Sequence, residues 1–204
     1  MTVSDLTRDD VRIDPRSADL LFREARSANS FTDEPVSEET VREIYELVKW
    51  APTAFNQQPL RVLVLRTPES RERLLPLMAE GNRAKTAAAP LTAILAADTE
   101  FADHLPRLVP HAPNVKDLFA DDERRHTSAQ FNATIQVGYF LLGVRAAGLA
   151  AGPMTGFDRA GVDAEFFPDG RHRSLAVVNI GRPGENAWRD RLPRLGYDEV
   201  VTSI

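Results

Sequence analysis

QFNATIQVGYFLLGVRAAGL, Gln130 to Leu149, runs without a break into AAGPMTGFD, Ala150 to Asp158. From Phe131 to Leu149, apolar or small residues fall on nearly every face of a helical wheel. A helix that is apolar all round is a covered helix. About 18 residues approach the length of a membrane span, but Asn132, Gln136 and Arg145 interrupt the run. Two readings are open: the central helix of a large core, or a helix covered on one side by its own domain and on the other by a second subunit. Gly148 supplies the stop, because glycine takes the left-handed C-cap without steric cost. Gly152, Pro153 and Gly156 predict a tight, backbone-exposed loop, of the kind that carries function on a rigid scaffold.

Upstream, residues 1–14 read as an arm and Ser17–Ala28 as a helix. SEETVREIYELVKWA is the clearest helix: Ser37 and Thr40 open it, Val41, Ile44, Tyr45 and Val48 repeat at helical spacing, and Pro52 ends it. Tyr45 and Trp50 read as core residues. PTAFNQQP, Pro52–Pro59, is a polar loop between prolines. Arg61–Thr67 is a β-branched strand. A helix from Glu69 to Met78, a break at Gly81 and a short helical stretch lead to Leu91–Asp98. That second strand is apolar throughout, as a strand covered on both faces should be. Residues 100–126, dotted with proline and charge, predict an excursion or lid over a site, and Asp121, Asp122 and Glu123 read as a solvated acidic run. Beyond the central helix, Asp158 caps a short helix and Ser174–Pro183 is a third strand. An irregular arm with a late strand or turn follows. Helices alternating with strands predict a layered α+β or α/β domain with a mixed sheet.

The 204 residues suit a single domain. A net charge of −5 provides no basic field for nucleic acid. The absence of cysteine excludes disulfides, thiolate nucleophiles and cysteine-held metals. The polar start MTVSDLTRDDVRIDPRS lacks the basic and apolar blocks of a signal peptide. With no transmembrane run, this predicts a cytoplasmic protein with no membrane partner.

No GxGxxG follows a strand, no GxxxxGK[ST] is present, and no GxSxG elbow accompanies the histidines His104, His111, His126 and His172. No histidine spacing fits a metal site. What remains is three distant polar segments, Arg26–Asn29, Pro52–Pro59 and Gly152–Gly156, with an arginine pair, Arg191 and Arg194. None holds a self-sufficient catalytic group. Such a pattern suits an organic cofactor that supplies the chemistry while the protein orients it. Arginine near both ends of the chain suits a phosphate tail.

The segments ARSANSFTDEPVSEETV, KWAPTAFNQQPLRVLVL, AGPMTGFD and VVNIGRP, in that order and spacing, resemble the flavin-dependent nitroreductase family from about Asp19 to Val201. Within it, LPRLVPH (Leu105–His111), GPMTGFD with Phe166 and Phe167, and RLPRL (Arg191–Leu195) are most similar to the branch that holds malonic semialdehyde reductases of pyrimidine breakdown. The resemblance implies a single α+β, nitroreductase-like domain of three layers, a mixed central sheet flanked by helices, in an intertwined homodimer with FMN at the subunit interface and NADH or NADPH as reductant. It implies ping-pong hydride transfer, the flavin N5 carrying the chemistry and no side chain being strictly required.

Residue by residue, the resemblance gives Arg26 and Ser27 to the FMN phosphate and pyrimidine edge. The family has basic residues where Ala25 and Asn29 stand, which makes Asn29 a neutral ring contact. Asn56 corresponds to a flavin-binding asparagine, with Thr53 and Gln58 lining nearby. Pro153, Met154, Thr155 and Gly156 correspond to the loop facing flavin N5, and Arg191 and Arg194 to the C-terminal phosphate arm. For a substrate carboxylate, Arg83, Lys85, Arg107 and His111 are the candidate cations. The functional expectation is reduction of malonic semialdehyde (3-oxopropanoate) to 3-hydroxypropanoate. The alternatives are a broad nitroreductase or quinone reductase and, from another class, a non-catalytic flavin-binding dimer.

Overall fold

The computed structural model describes residues 12–204, so the expected arm over residues 1–14 falls almost wholly outside it. Helix α1 (Pro15–Ala18) continues into a π-helical turn, Asp19–Arg23. It stops well short of the expected Ala28. Helix α2 (Glu38–Val48) starts where expected, with the Ser37 hydroxyl accepting from the Thr40 N–H. Strand β1 (Leu60–Leu65), helix α3 (Pro68–Leu74), helix α4 (Glu80–Ala87) and strand β2 (Leu91–Asp98) follow. The break between α3 and α4 lies at Met78–Ala79, and Gly81 sits inside α4.

Helix α5 (Leu105–Leu108) lies within the 100–126 segment, between two 3₁₀ stretches, Phe101–His104 and Pro113–Phe119. Helix α6 (Asp122–Ala146) spans 25 residues, β3 is Ala150–Met154, α7 is Arg159–Phe166, β4 is His172–Gly181 and α8 is Tyr197–Val200. The acidic run at the start of α6 is exposed, as expected, and also has a role in the helix. Asp121 is its N-cap, accepting from the Arg124 N–H, and Asp122 and Glu123 complement the positive end of the helix dipole. Gly148, at φ 75°, turns the chain out of α6 as expected.

The four strands form one sheet in the order β1-β2-β4-β3, and every pair is antiparallel. The expected mixed sheet is therefore corrected. Alternating helices and strands suggest parallel crossovers. Here two helices, α3 and α4, return the chain to the end of the sheet where β1 stopped. The expected loop at Gly152 and Pro153 is also corrected: these residues belong to β3, an edge strand, where proline's missing N–H is tolerated. Strand β2 lies inside the sheet with all eight residues buried. The late strand or turn expected near the end is a single helical turn, α8.

Helices cover both faces of the sheet. On one face, Ile44 and Val48 of α2 and Phe140 and Val144 of α6 pack on Ala93, Leu95, Val178 and Ile180. On the other, Leu74, Met78 and Val162 pack on Ile94, Ala96 and Val177. The 100–126 segment has a small core of its own: Phe101, Leu105, Val109 and Phe119 pack against Ala129 and Ala133 of α6. Tyr45 and Trp50, expected in the core, are 56% and 79% exposed. Helical periodicity finds the face of α2 but cannot show where α2 ends against the next layer. Among the described residues, no helix is long and apolar enough to cross a membrane.

Candidate functional site

The predicted residues gather at two places, on opposite edges of the sheet. One lies on β3. The Ala28 N–H donates to the Ala151 carbonyl at 3.0 Å, and the Asn29 N–H donates to Ala187 at 2.9 Å. These bonds clamp residues 26–29 between β3 and the tail after β4. Arg26 Nη1 then donates to the Arg189 carbonyl at 3.3 Å, and Arg191 Nη2 to the Ala25 carbonyl at 3.4 Å. Helix α4 presents Lys85 to the same corner. Partial burial, and secondly the Arg189 charge, push the Lys85 ammonium below its ordinary pKa. Among the described residues, Lys85, Arg189 and Arg191 enter no ion pair, and Arg26 reaches only Glu24, at 3.9 Å. The corner is a set of cations without matching carboxylates. A dianionic phosphate fits it, because guanidinium forks and an ammonium supply donors and charge together.

A buried asparagine fixes the height of Lys85. Asn179 of β4 donates to the Lys85 carbonyl at 3.2 Å and accepts from the Thr92 hydroxyl at 3.0 Å. On the far side of α4, Asn82 Nδ2 donates to the Gly156 carbonyl at 2.9 Å. The Ala79 N–H donates to the same oxygen at 3.0 Å. This holds Thr155 and Gly156 at the rim, exposed, next to the buried Met154. Pro153 is half-buried on the strand. Asn82, Arg189 and Asn179 were not found from sequence; nothing in their immediate neighbourhood distinguishes them from helix-surface, tail and strand residues.

The second place is the Pro52–Pro59 loop, which leads into β1. Three strand spacings of about 4.8 Å, roughly 14 Å in all, separate β1 from β3. Within the loop Phe55, Asn56 and Gln58 have φ of 50°, 50° and 46°, a region that side chains with a Cβ adopt at a cost. Anchors hold the strain. Asn132 of α6 accepts the Ala54 N–H at 2.7 Å and donates to the Gln57 side-chain oxygen at 3.2 Å. Gln57 is fully buried and also accepts from the Ser128 hydroxyl at 3.0 Å. Gln136 accepts the Leu60 N–H at 2.9 Å. Two of the three polar residues that interrupt the apolar helix, Asn132 and Gln136, are thus the fasteners of this loop, and that interruption was the available signal; the third, Arg145, donates to the Leu21 carbonyl at 3.1 Å. Thr53 Oγ1 accepts the Gln58 N–H at 3.2 Å, Gln58 Nε2 donates to Asn56 Oδ1 at 2.8 Å, and Asn56 Nδ2 donates to the Leu108 carbonyl at 3.2 Å. Thr53, Asn56 and Gln58 line a groove with Lys49 and Trp50.

The remaining candidates divide. Arg107 lines a polar cleft beside this loop. Arg83 is held by the carbonyls of Met78 and Pro76, its own connection, at 2.9 and 3.3 Å. His111 sits exposed in the turn after α5. Ser27 is exposed beside Arg26. Arg194 lies on the exposed tail and donates to the Leu192 and Pro193 carbonyls, so a single chain does not bring it to the β3 corner. No group of three or more metal-ligating side chains occurs among the described residues.

The profile described as the Nitroreductase family matches residues 22–182. A Streptomyces griseus protein with the provisional name NADH dehydrogenase/NAD(P)H nitroreductase is 61% identical over 193 residues, 94% of this chain and 98% of its own. Solved structures share the fold. One is a provisionally assigned nitroreductase in complex with FMN from Exiguobacterium sibiricum, with TM-score 0.82 and 18% identity over 91% of this chain and 96% of that one. Another is a provisionally assigned NAD(P)H:FMN oxidoreductase from Staphylococcus epidermidis, with TM-score 0.80 and 19% identity over 95% and 98%.

Proposed function

The chain belongs to the nitroreductase family, and from that premise we propose that it is an FMN-dependent NAD(P)H oxidoreductase working as a homodimer. The observation that carries this reading is the cationic corner on β3, where Lys85, Arg189 and Arg191 enter no ion pair among the described residues, a sheet's width from the strained loop. The names of the S. griseus relative and of the FMN-bound E. sibiricum structure point to the same cofactor and reductant. A flavin supplies two-electron transfer between a reduced nicotinamide and a second substrate.

The residues divide that work. Arg26, Lys85, Arg189 and Arg191 hold the phosphate by charge-assisted hydrogen bonds. Asn29 and the rim Pro153–Gly156 offer backbone and amide contacts to a planar ring. Thr53, Asn56 and Gln58 supply polar contacts from the other edge, and positioning rather than a side-chain acid provides the catalysis.

A second copy brings the two half-sites together. In one chain, α6 leaves an apolar face open. Phe131 is 68% exposed, Gly138 and Tyr139 are exposed, and Ile135 and Leu142 are half-covered. A Cβ at Gly138 would meet nothing within 4 Å, so a mid-helix glycine has no purpose inside the chain. A symmetric partner packed on this face gives it one, and covers the helix on the side its own domain leaves bare.

For the second substrate, the motif match to the malonic semialdehyde branch and the free Arg107 support 3-oxopropanoate, reduced to 3-hydroxypropanoate as in pyrimidine breakdown. The second reading, a broad nitroreductase or quinone reductase, is supported by the name of the S. griseus relative. The purified protein should be yellow and should bleach anaerobically with NADH or NADPH. Parallel turnover of 3-oxopropanoate and of a nitroarene separates the readings: no carbonyl reduction eliminates the first. A colourless protein without affinity for FMN eliminates both.

A further inference from the structure

Beside the strained loop lies a polar cleft of about 310 Å³, bounded by α2, the start of β1 and the segment from His104 to Leu108. Its polar lining is dominated by donors: Tyr45, Lys49, Gln58, Arg61, His104 and Arg107. The charges behind that lining are unevenly matched. Arg61 Nη2 lies 2.5 Å from Asp98 Oδ2, while its Nη1 donates to the Gln58 and Leu60 carbonyls. The Asp98 carboxylate is shared with Arg171 at 2.9 Å and also accepts the Glu100 N–H. Its lone pairs are thus taken up, and of the cleft's donors it faces Arg61 and, at 3.8 Å, His104 Nε2, but not Arg107. Lys49 is held by Glu46, one turn back on α2. Arg107 is exposed and, among the described residues, enters no ion pair and makes no side-chain hydrogen bond. The cleft therefore presents an unpaired guanidinium fork in a surplus of positive charge, with no free carboxylate in its wall.

Position gives this charge a use. Lys49 and Gln58 line both the cleft and the groove along Thr53 and Asn56. Asn56 bonds to the Leu108 carbonyl, one residue from Arg107. A ligand anchored in the cleft by one end extends its other end along the loop.

We infer that the cleft is a carboxylate subsite for the second substrate and that Arg107 is its specificity-determining residue, gripping both carboxylate oxygens. The substrate class is then a short carbonyl compound carrying a carboxylate, not a neutral nitroarene. This rests on the oxidoreductase reading for its role in turnover, but not for binding.

The test is calorimetric titration of the purified, full-length protein with malonate, using malonamide as the uncharged control. Malonate should bind and malonamide should not. Arg107→Gln should weaken malonate binding about tenfold or more, the effect of losing a bidentate charge-assisted contact, and Arg107→Lys should recover part of it. Arg42→Gln, which removes an exposed charge of α2 outside both half-sites, should leave malonate affinity unchanged. In turnover, Arg107→Gln should raise the KM for 3-oxopropanoate by a similar factor with little change in kcat, and leave propanal kinetics unmoved. Equal malonate affinity in parent and Arg107→Gln, or loss of binding only in Arg42→Gln, would overturn the inference. Failure of the cofactor reading is separate: a colourless protein can still bind malonate through Arg107.

Discussion

Asn132→Ala should loosen the Pro52–Pro59 loop, and the structure sets the size of the effect. The substitution removes the acceptor of the Ala54 N–H at 2.7 Å and a donor to the buried Gln57 oxygen. Leaving the part-buried Ala54 donor unpaired and the buried Gln57 oxygen short of a partner costs about 1–3 kcal/mol. Phe55, Asn56 and Gln58, all at positive φ, store about 1 kcal/mol each or more, held in place by these anchors. The cost of Asn132→Ala should therefore be about 2–4 kcal/mol, unless the loop relaxes and releases its strain. Relaxation returns part of the stability but removes the geometry that Asn56 and Gln58 present. Denaturant unfolding and FMN titration, read together, cover both branches. Either stability falls by about that amount, or it falls less and FMN affinity drops at least tenfold. A variant within about 0.5 kcal/mol of the parent that also keeps parental FMN affinity would refute the view that Asn132 holds a strained functional loop.

Phe131→Ser should weaken self-association. Burying its exposed two-thirds is worth roughly 1–2 kcal/mol, and a two-fold interface counts it twice, so the dimer Kd should rise about 30-fold or more; equal dissociation profiles in sedimentation would reject the α6 face. Lys85→Met should weaken FMN binding by about 1–3 kcal/mol while leaving the ligand-free protein no less stable. Burial and Arg189 hold the Lys85 pKa down, so the cost of carrying its charge is present at neutral pH and is relieved as pH rises towards the unfolded value; reduced stability without FMN in that variant would contradict this. Asp98→Asn should cost about 3–5 kcal/mol, because it strands Arg61 and Arg171 around a side chain only 1% exposed. Burial raises the Asp98 pKa, but the Arg171 hydrogen bond and the Arg61 charge outweigh it and hold the group below the usual carboxylate range. Its contribution is thus present above about pH 4 and lost as pH falls through the lower folded value, and the parent and variant stability curves should converge in acid.

Several features were legible because local chemistry and packing agree. The Ser37 cap and the spacing of Val41, Ile44 and Val48 define α2, and the unbroken apolarity of Leu91–Asp98 belongs to a strand inside the sheet. The all-round apolarity of Gln130–Leu149 left two readings open, and α6 is covered by its own domain on one side only. Strand direction was not legible, because the out-and-back path of α3 and α4 leaves no periodic trace. Gly152 and Pro153 misled: turn formers also sit on an edge strand where a neighbouring segment, here Ala28, comes close. The acidic run Asp121–Glu123 carried an N-cap signal that its charge density obscured. Of the candidate site, Arg26 and the Pro52–Pro59 loop were readable as polar segments, whereas Arg107 entered only with the family resemblance, as one of four candidate cations. Asn82, Asn179 and Arg189 act only through tertiary neighbours, and no spacing rule reaches them.

The central claim is that each flavin site takes its cationic corner from one chain and its loop from another. Complementation between two defective variants measures this directly. Arg26→Ala combined with Lys85→Met disables the corner, and Asn56→Ala combined with Asn132→Ala disables the loop. After the two are mixed in equal amounts, dissociated and reassociated, half of the dimers are mixed, and each mixed dimer contains one site with both halves intact. Bound FMN per chain should then recover to about one quarter of the parental level. Recovery no greater than that of either variant alone would mean that both halves of the site come from the same chain.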